Sequence, residues 1–561
     1  MKTMNRFARN ILLIFCLMFV SCPVLLAQSD NRDTVVIVKE YSPTISDAIK
    51  ISNNPEIKDS LQEKSKLNYR IESRVFKTEF GVSGINPAKM TQEPLTKLYR
   101  NLLKAGYGTY STPYAEYYYN SLRSKNNMLV FHARHLSSSA TLKDYGFSGY
   151  SNNAAEIDLR RFLRKQTLGF NAFVDRNVVH CYGYNPEDSL YANLDKDNTR
   201  QRFFLAGSSL SFGSSTMTGK DADYEIKTDF WTYSDLFDAV DSDISVGGFY
   251  AVPIKADTAM KSQYFKISFG GNYHRQQTAI DTLERGLINV LPEFTFRANF
   301  FSLRAGLKTY IESSPDSARF RLFPIAELGF SVSEDILQFY AGVNGGVNRN
   351  TFRSLTEENP FLNSVAYIRD SYQKYHAYAG FRGSFSSSVS FNLRFSDKKI
   401  ESHPLFVNDS IPDLLFDVVY DNINIMDFHG EITYRKTEKI RLMAYTDYYI
   451  YKLDVQSKAW HMPSSKFGLM TKYNLKNTLI GTLDIFFVGD RFARQYEQST
   501  ATFSERKLKG YIDLNIGLEY RYSKMLGAFI RFQNLAATRY EEWNGYPSQR
   551  FSVLGGITYS F

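Results

Sequence analysis

Residues 511–524 read YIDLNIGLEYRYSK, 525–535 continue MLGAFIRFQNL, and the chain closes at 550–561 with RFSVLGGITYSF. In the first run Ile512, Leu514, Ile516, Leu518, Tyr520 and Tyr522 share one side. Asp513, Asn515, Gly517, Glu519 and Arg521 share the other. Successive side chains of a strand point to opposite faces, so this run predicts a strand with one apolar and one polar face. The closing run puts Phe551, Val553, Ile557, Tyr559 and Phe561 on one side and ends on an aromatic ring. A soluble sandwich would alternate in the same way, but it has no need of that ending. A strand whose apolar side faces lipid must belong to a closed sheet, because lipid cannot solvate an open edge.

The ending, carried by Ile557, Tyr559 and Phe561, resembles the C-terminal strand signature of bacterial outer-membrane barrels. The resemblance implies that the last strand pairs with the first and is read by the barrel assembly machinery. The same alternation recurs upstream. Phe265, Ile267, Phe269, Gly271 and Tyr273 alternate with Lys266, Ser268, Gly270, Asn272 and His274. Ile440, Leu442, Ala444, Thr446, Tyr448 and Ile450 alternate with Arg441, Met443, Tyr445, Asp447, Tyr449 and Tyr451. Connections alternate in length: 435–439 and 475–478 are short, 453–466 and 489–507 are long. Short periplasmic turns and long extracellular loops give this rhythm. Further long loops are expected at 351–375, 399–424 and 536–549. The connection around 255–263 breaks the rhythm, being long for a periplasmic turn, and twenty strands is the alternative count. The expected fold is all-β, a closed antiparallel transmembrane β-barrel of about 22 strands over 97–561.

Composition agrees. Aromatics make up 15% of the chain, with 39 Tyr and 44 Phe against 3 Trp, a stock suited to interfacial girdles. Mean hydropathy is −0.33, and no second long apolar run follows the N-terminus, which excludes helical spans. The formal charge is +9. Charges are interspersed, as suits a solvated lumen, loops and contact with anionic membrane lipid, and no basic stripe calls for nucleic acid.

The first 27 residues read as a secretory signal. Lys2, Arg6 and Arg9 precede the apolar core Ile11–Val20, and Ala27 offers a small residue for cleavage. Two alternatives stand beside it, a membrane anchor and a lipoprotein signal at Cys22. Ser21, Cys22 and Pro23 interrupt the first, and Phe19 stands where the second usually has Leu. Removal of the signal leaves Cys181 as the one cysteine, so no internal disulfide can staple the exported chain. Residues 28–96, with Pro43, Pro55, Pro87 and Pro94, read as a short periplasmic or lumenal segment.

Asp33, Thr34, Val35, Val36, Ile37 and Val38 form an acidic-Thr-apolar run that resembles the TonB box of TonB-dependent receptors. TonB captures such a box as an added strand, which asks for an extended β-branched run on a tether. The tail resembles the same family through Asn534, Leu535, Tyr540, Gly545, Tyr546, Pro547 and Phe561. The stretch from Pro87 to Asn127 is similar to uncharacterised barrels grouped with these receptors. The resemblance implies ligand uptake or passage across the outer membrane, with TonB as partner. One departure weighs against it: 39–96 is far shorter than a receptor's folded plug, and the plug's Arg- and Gly-rich motifs are absent. The readings left open are a barrel that anchors a periplasmic or surface complex, a lumen closed by a partner protein, and a diffusion porin.

Enzymatic readings fare poorly, and no cofactor motif is seen. His132 and His135 suggest a metal pair, but an offset of three on a strand puts them on opposite faces. Ser137, Ser138 and Ser139 beside His135 suggest a hydrolase, though polar loop composition accounts for them. Asp235, Asp238, Asp241 and Asp243 fall in one predicted loop and could hold Ca²⁺, but lack the Gly and terminal Glu of a calcium loop. Asp195 and Asp197 are read likewise as solvated acids.

Overall fold

The computed structural model describes residues 98–561 except 123, 192, 215–221, 255–259, 315–316, 334–335, 409–413 and 498–501. The expected signal and the run Asp33–Val38 lie outside the described residues.

Twenty-two strands, from Asn101–Gly108 to Ser552–Ser560, form one antiparallel sheet that closes on itself. Closure pairs the first strand with the last in continuous register, Leu102 opposite Ser560 and Gly108 opposite Leu554. Two reciprocal hydrogen bonds lock the seam, from the Asn101 amide to the Phe561 carbonyl (3.0 Å) and from the Phe561 amide to the Asn101 carbonyl (3.1 Å). Glycines line the seam. A Cβ on Gly556 would stand 2.3 Å from the Ala105 carbonyl and 2.6 Å from the Phe529 ring. Phe529 uses that space to lie buried over the joint.

The outward wall carries exposed apolar side chains such as Leu168, Phe170, Val174, Phe269, Phe330 and Phe428. No helix among the described residues is long and apolar enough to cross a membrane; the crossing elements are strands. The inward wall is polar and ion-paired. Glu116 accepts hydrogen bonds from Lys104 (2.9 Å), Tyr114 (2.6 Å) and Tyr118 (2.6 Å), and lies 3.1 Å from His132. Arg304 pairs with Glu293 at 2.7 Å and Arg394 with Asp427 at 3.1 Å. At the short-turn end the wall leaves a hollow of about 910 Å³ bordered by Arg297, Glu327, Gln338, Arg382, Asn392 and Glu431.

The long connections expected from the sequence hold, with two corrections, but the alternation is not complete: the connections 109–111, 235–239 and 278–281 on the same rim as the long ones are short. Residues 399–424 are largely strand rather than loop: one strand runs Val389–Val407 and the next starts at Asp417. Hydrogen bonding along the ladder continues well above the apolar wall and shortens the connection. Around 255–263 the strands end at Ile254 and resume at Met260, so the connection is shorter than expected and the count stays at 22. Long connections gather at one rim, termed outer here by the loop-length rule.

Candidate functional site: a folded cap over the outer mouth

The long connections fold together. The connection after Asn348 opens with a helix, Phe352–Glu358. Thr351 starts it as N-cap, its hydroxyl accepting from the Ser354 amide (3.0 Å). Such a cap satisfies an amide that the first helical turn would otherwise orphan. The connection 489–510 holds a hairpin, Arg491–Glu497 with Thr502–Leu508. Parallel bridges tie loop to loop: Leu362 to Phe416, Asn408 to Gln495, Trp460 to Phe492.

An apolar core of their own holds the loops. It includes Cys181, Phe352, Phe361, Leu362, Phe416 and Tyr546, contributed by connections distributed around the rim. Phe361 stacks on Tyr546, and Tyr182 meets both rings edge-on. The Tyr546 hydroxyl donates to the Leu414 carbonyl. Aromatic pairs of this kind add roughly 0.5–1.5 kcal/mol each beyond area burial. Burial pushes the Cys181 thiol up to about 12, so it stays protonated and packs as a small apolar group.

Two polar joints fasten the cap to the barrel wall. Arg285 on the strand Thr282–Ala298 donates to Asp370 (2.7 Å) and to the Asn350 carbonyl (2.8 Å). Arg349 lies 3.6 Å from the same carboxylate and donates to Asn272 (3.2 Å). Asp241 accepts the Arg353 amide at the helix start (3.0 Å). Its other oxygen lies 2.7 Å from His274 Nε2.

On the far side, His461 is buried among Phe416, Trp543 and the Phe406 carbonyl. Its Nδ1 donates to Phe406 O (3.1 Å), and its Nε2 accepts the Asn544 amide (3.3 Å). Both contacts require the neutral ring, and burial holds its pKa down at about 3.

The sequence-derived candidates fall as follows. Ile557, Tyr559 and Phe561 point outward and are exposed, with Tyr559 and Phe561 stacked at 5.3 Å. Asn534, Gly545 and Tyr546 are cap residues: Asn534 donates to the Thr538 carbonyl (2.7 Å), and Gly545 takes φ +82°, a conformation that favours glycine. Tyr540 stacks on Tyr511 at 3.7 Å. The four acids expected in one solvated loop are divided. The turn spans 235–239, and Asp241 and Asp243 sit on the next strand. Asp235 caps that turn by accepting the Phe237 (2.8 Å) and Ala239 (2.9 Å) amides and also binds Ser364. Asp195 accepts the amides of Asp197 and Asn198, both at 2.9 Å. His132 and His135 face opposite walls as expected. Ser137 does reach His135 Nε2 (3.1 Å), whose Nδ1 meets Asn153 (2.7 Å). The amide of Ser139 is committed to Tyr110 (2.9 Å), and the neighbouring strand amides pair in the ladder, so no oxyanion site accompanies the serine.

No protein-family model matches this sequence, and neither does any curated protein. Solved structures match in fold. The pyoverdine outer membrane receptor FpvA of Pseudomonas aeruginosa superposes with TM-score 0.63 at 10% identity, over 84% of this chain and 79% of that one. The siderophore receptor PirA of Acinetobacter baumannii gives 0.64 at 10%, over 84% and 81%. The FrpB iron transporter of Neisseria meningitidis gives 0.65 at 10%, over 83% and 82%. The chain has the barrel fold of these receptors. At such identities the likeness speaks for the fold alone.

Proposed function

We propose that this protein is an outer-membrane barrel of TonB-dependent-receptor type that admits a ligand through a gated rather than an open lumen. The observation that carries the reading is the cap. Loops from around the rim share one buried core over the mouth of a 22-stranded barrel, and barrels that wide leave a lumen needing closure. A porin has no use for such a core. A gate must be moved, and Asp33–Val38 supplies the strand that TonB would pull. In this reading residues 1–27 are a signal, 28–96 lie in the periplasm or lumen, and 97–561 form the barrel. Its partners are outer-membrane lipid, the barrel assembly machinery through Ile557, Tyr559 and Phe561, and TonB. Structural neighbours described as siderophore receptors and an iron transporter favour uptake as the general class.

The anchoring alternative draws on a different observation. The cap summit exposes Phe237, Val365 and Tyr367, a surface on which a partner could rest.

Planar-bilayer conductance tests the gate. Wild-type protein should be silent, and replacing 352–366 by a short Gly-Ser linker should open a steady conductance. A conducting wild type would make the protein a porin. A silent loop variant would remove the cap as the barrier.

A further inference from the structure

The outward wall carries one feature that ligand passage does not use. On the strand Gln166–His180 the outward residues rise as Leu168, Phe170, Ala172, Val174 and then Arg176. The neighbouring strand Arg200–Ser214 shows the same change, from Leu210, Ala206 and Phe204 to Arg202 and Arg200. Register places them together: Arg176 is opposite Phe204, Val178 opposite Arg202, His180 opposite Arg200. Arg176 and Arg202 are therefore diagonal neighbours, about 7–8 Å apart, and Arg200 follows Arg202 two residues along the same face. Asn153 is opposite Arg176 and His135 opposite Asn153, which extends the row with polar groups.

No acidic partner among the described residues neutralises Arg176, Arg200 or Arg202. Two other cations near the outer end are paired: Arg275 lies 3.7 Å from Glu284 and Lys374 lies 3.1 Å from Glu401. The three arginines stand where the exposed apolar wall ends, Val174 and Phe204 being the last apolar side chains below them. That level is the headgroup boundary of the outer leaflet, since the apolar band of such barrels is roughly 25 Å tall. Guanidinium groups bind phosphate through paired N–H donors and desolvate more readily than ammonium.

We infer that Arg176, Arg200 and Arg202 form a binding site for a phosphorylated lipid headgroup of the outer leaflet. The phosphate lies against the arginines, and the acyl chains run down Val174, Phe204, Phe170 and Leu210. The inference rests on the outer-membrane placement proposed above but not on passage or TonB coupling.

The test uses full-length protein in phosphatidylethanolamine nanodiscs, titrated with fluorescent diphosphoryl lipid A and with its dephosphorylated form. Wild type should prefer the phosphorylated lipid at least tenfold. Loss of one arginine near the surface should weaken binding roughly fivefold, so Arg176→Ser with Arg200→Ser and Arg202→Ser should weaken it about a hundredfold. The matching Lys triple should keep most of the affinity, and Arg275→Ser all of it. Equal binding by the serine triple, or no preference for the phosphorylated lipid, overturns the site. Complete displacement by millimolar inorganic phosphate would make it a free-anion site and equally overturn the lipid assignment. Should the serine triple fail to insert, Arg202→Ser alone decides: a roughly fivefold loss supports the site, and none overturns it.

Discussion

The ring of Phe361 lies on the ring of Tyr546, centroids 3.6 Å apart and planes 13° apart, although the two residues belong to loops on different parts of the rim. Nothing in the barrel ladder brings them together. They meet because the loops bury apolar side chains against each other.

Tyr546 is the cap's central contact, touching Phe361, Tyr182, Phe416 and the Leu414 carbonyl. Tyr546→Ala should cost the cap about 3–5 kcal/mol, as truncating a buried aromatic does. The barrel, whose ladder is elsewhere, should still insert. Limited proteolysis should show faster cutting in 349–370 and 408–416 with unchanged heat-modifiable barrel. An unaltered cutting pattern would mean that the loops do not depend on this core.

The joint at Asp370 should respond asymmetrically. Asp370→Ala leaves Arg285 and Arg349 buried without their carboxylate and should loosen the helix-bearing loop by about 3–5 kcal/mol. Arg285→Met and Arg349→Met combined with Asp370→Leu should cost less, because no charge is stranded. Hydrogen exchange of 351–366 reads both variants; an equal effect would contradict the stranded-charge account.

Acid should open the cap through His461. Its ring is neutral in the fold, with a pKa lowered from 6.5 to about 3 by burial. A lowered histidine pKa means that protonation favours the open form. The contribution is full above pH 6.5, and is lost progressively as pH falls from 6.5 towards 3. Each pH unit in that window should raise the open population up to about tenfold. Exchange rates of the 454–464 amides at pH 7 and pH 4 should show it, and His461→Gln should flatten the slope. A slope unchanged in that variant would assign the effect to other groups.

The closing strand should matter more for assembly than any one lumen group. Tyr559→Ser with Phe561→Ser should lower the yield of inserted barrel severalfold. Asn515→Ala should not, although Asn515 is no spectator: it accepts the Asn534 amide at 3.0 Å and steadies a loop base. Its loss should be confined to that loop. Equal yields, measured as heat-modifiable band, would contradict the role of the terminal aromatics.

The barrel was legible because alternation is local. Each strand declares its two faces within ten residues or so, as Phe265–His274 and Ile440–Tyr451 do, and closure follows from lipid on one side. The cap was not legible, because its contacts are non-local. Phe352, Phe361, Phe416 and Tyr546 sit in stretches that read only as long loops. The acids at 235–243 misled for a related reason. A short turn at 235–239 shifts Asp241 and Asp243 onto a strand, where burial against His274 and the Arg353 amide replaces solvent. The arginine row was hidden because its members are distant in sequence and become a patch only through register.

The central claim is that an energised partner opens a capped barrel, and contact between Asp33–Val38 and TonB tests it most directly. A photo-crosslinking residue is placed at each of positions 33–38 in turn, in wild type and in a Val36→Pro background. The substitution removes a backbone donor and bends the strand. Because an added strand is held mainly by its main chain, the account predicts crosslinks to TonB in wild type, their loss with Val36→Pro, and an intact barrel in both. No TonB crosslink in wild type, together with a stoichiometric periplasmic partner recovered equally from both, would contradict it and make the barrel an anchor.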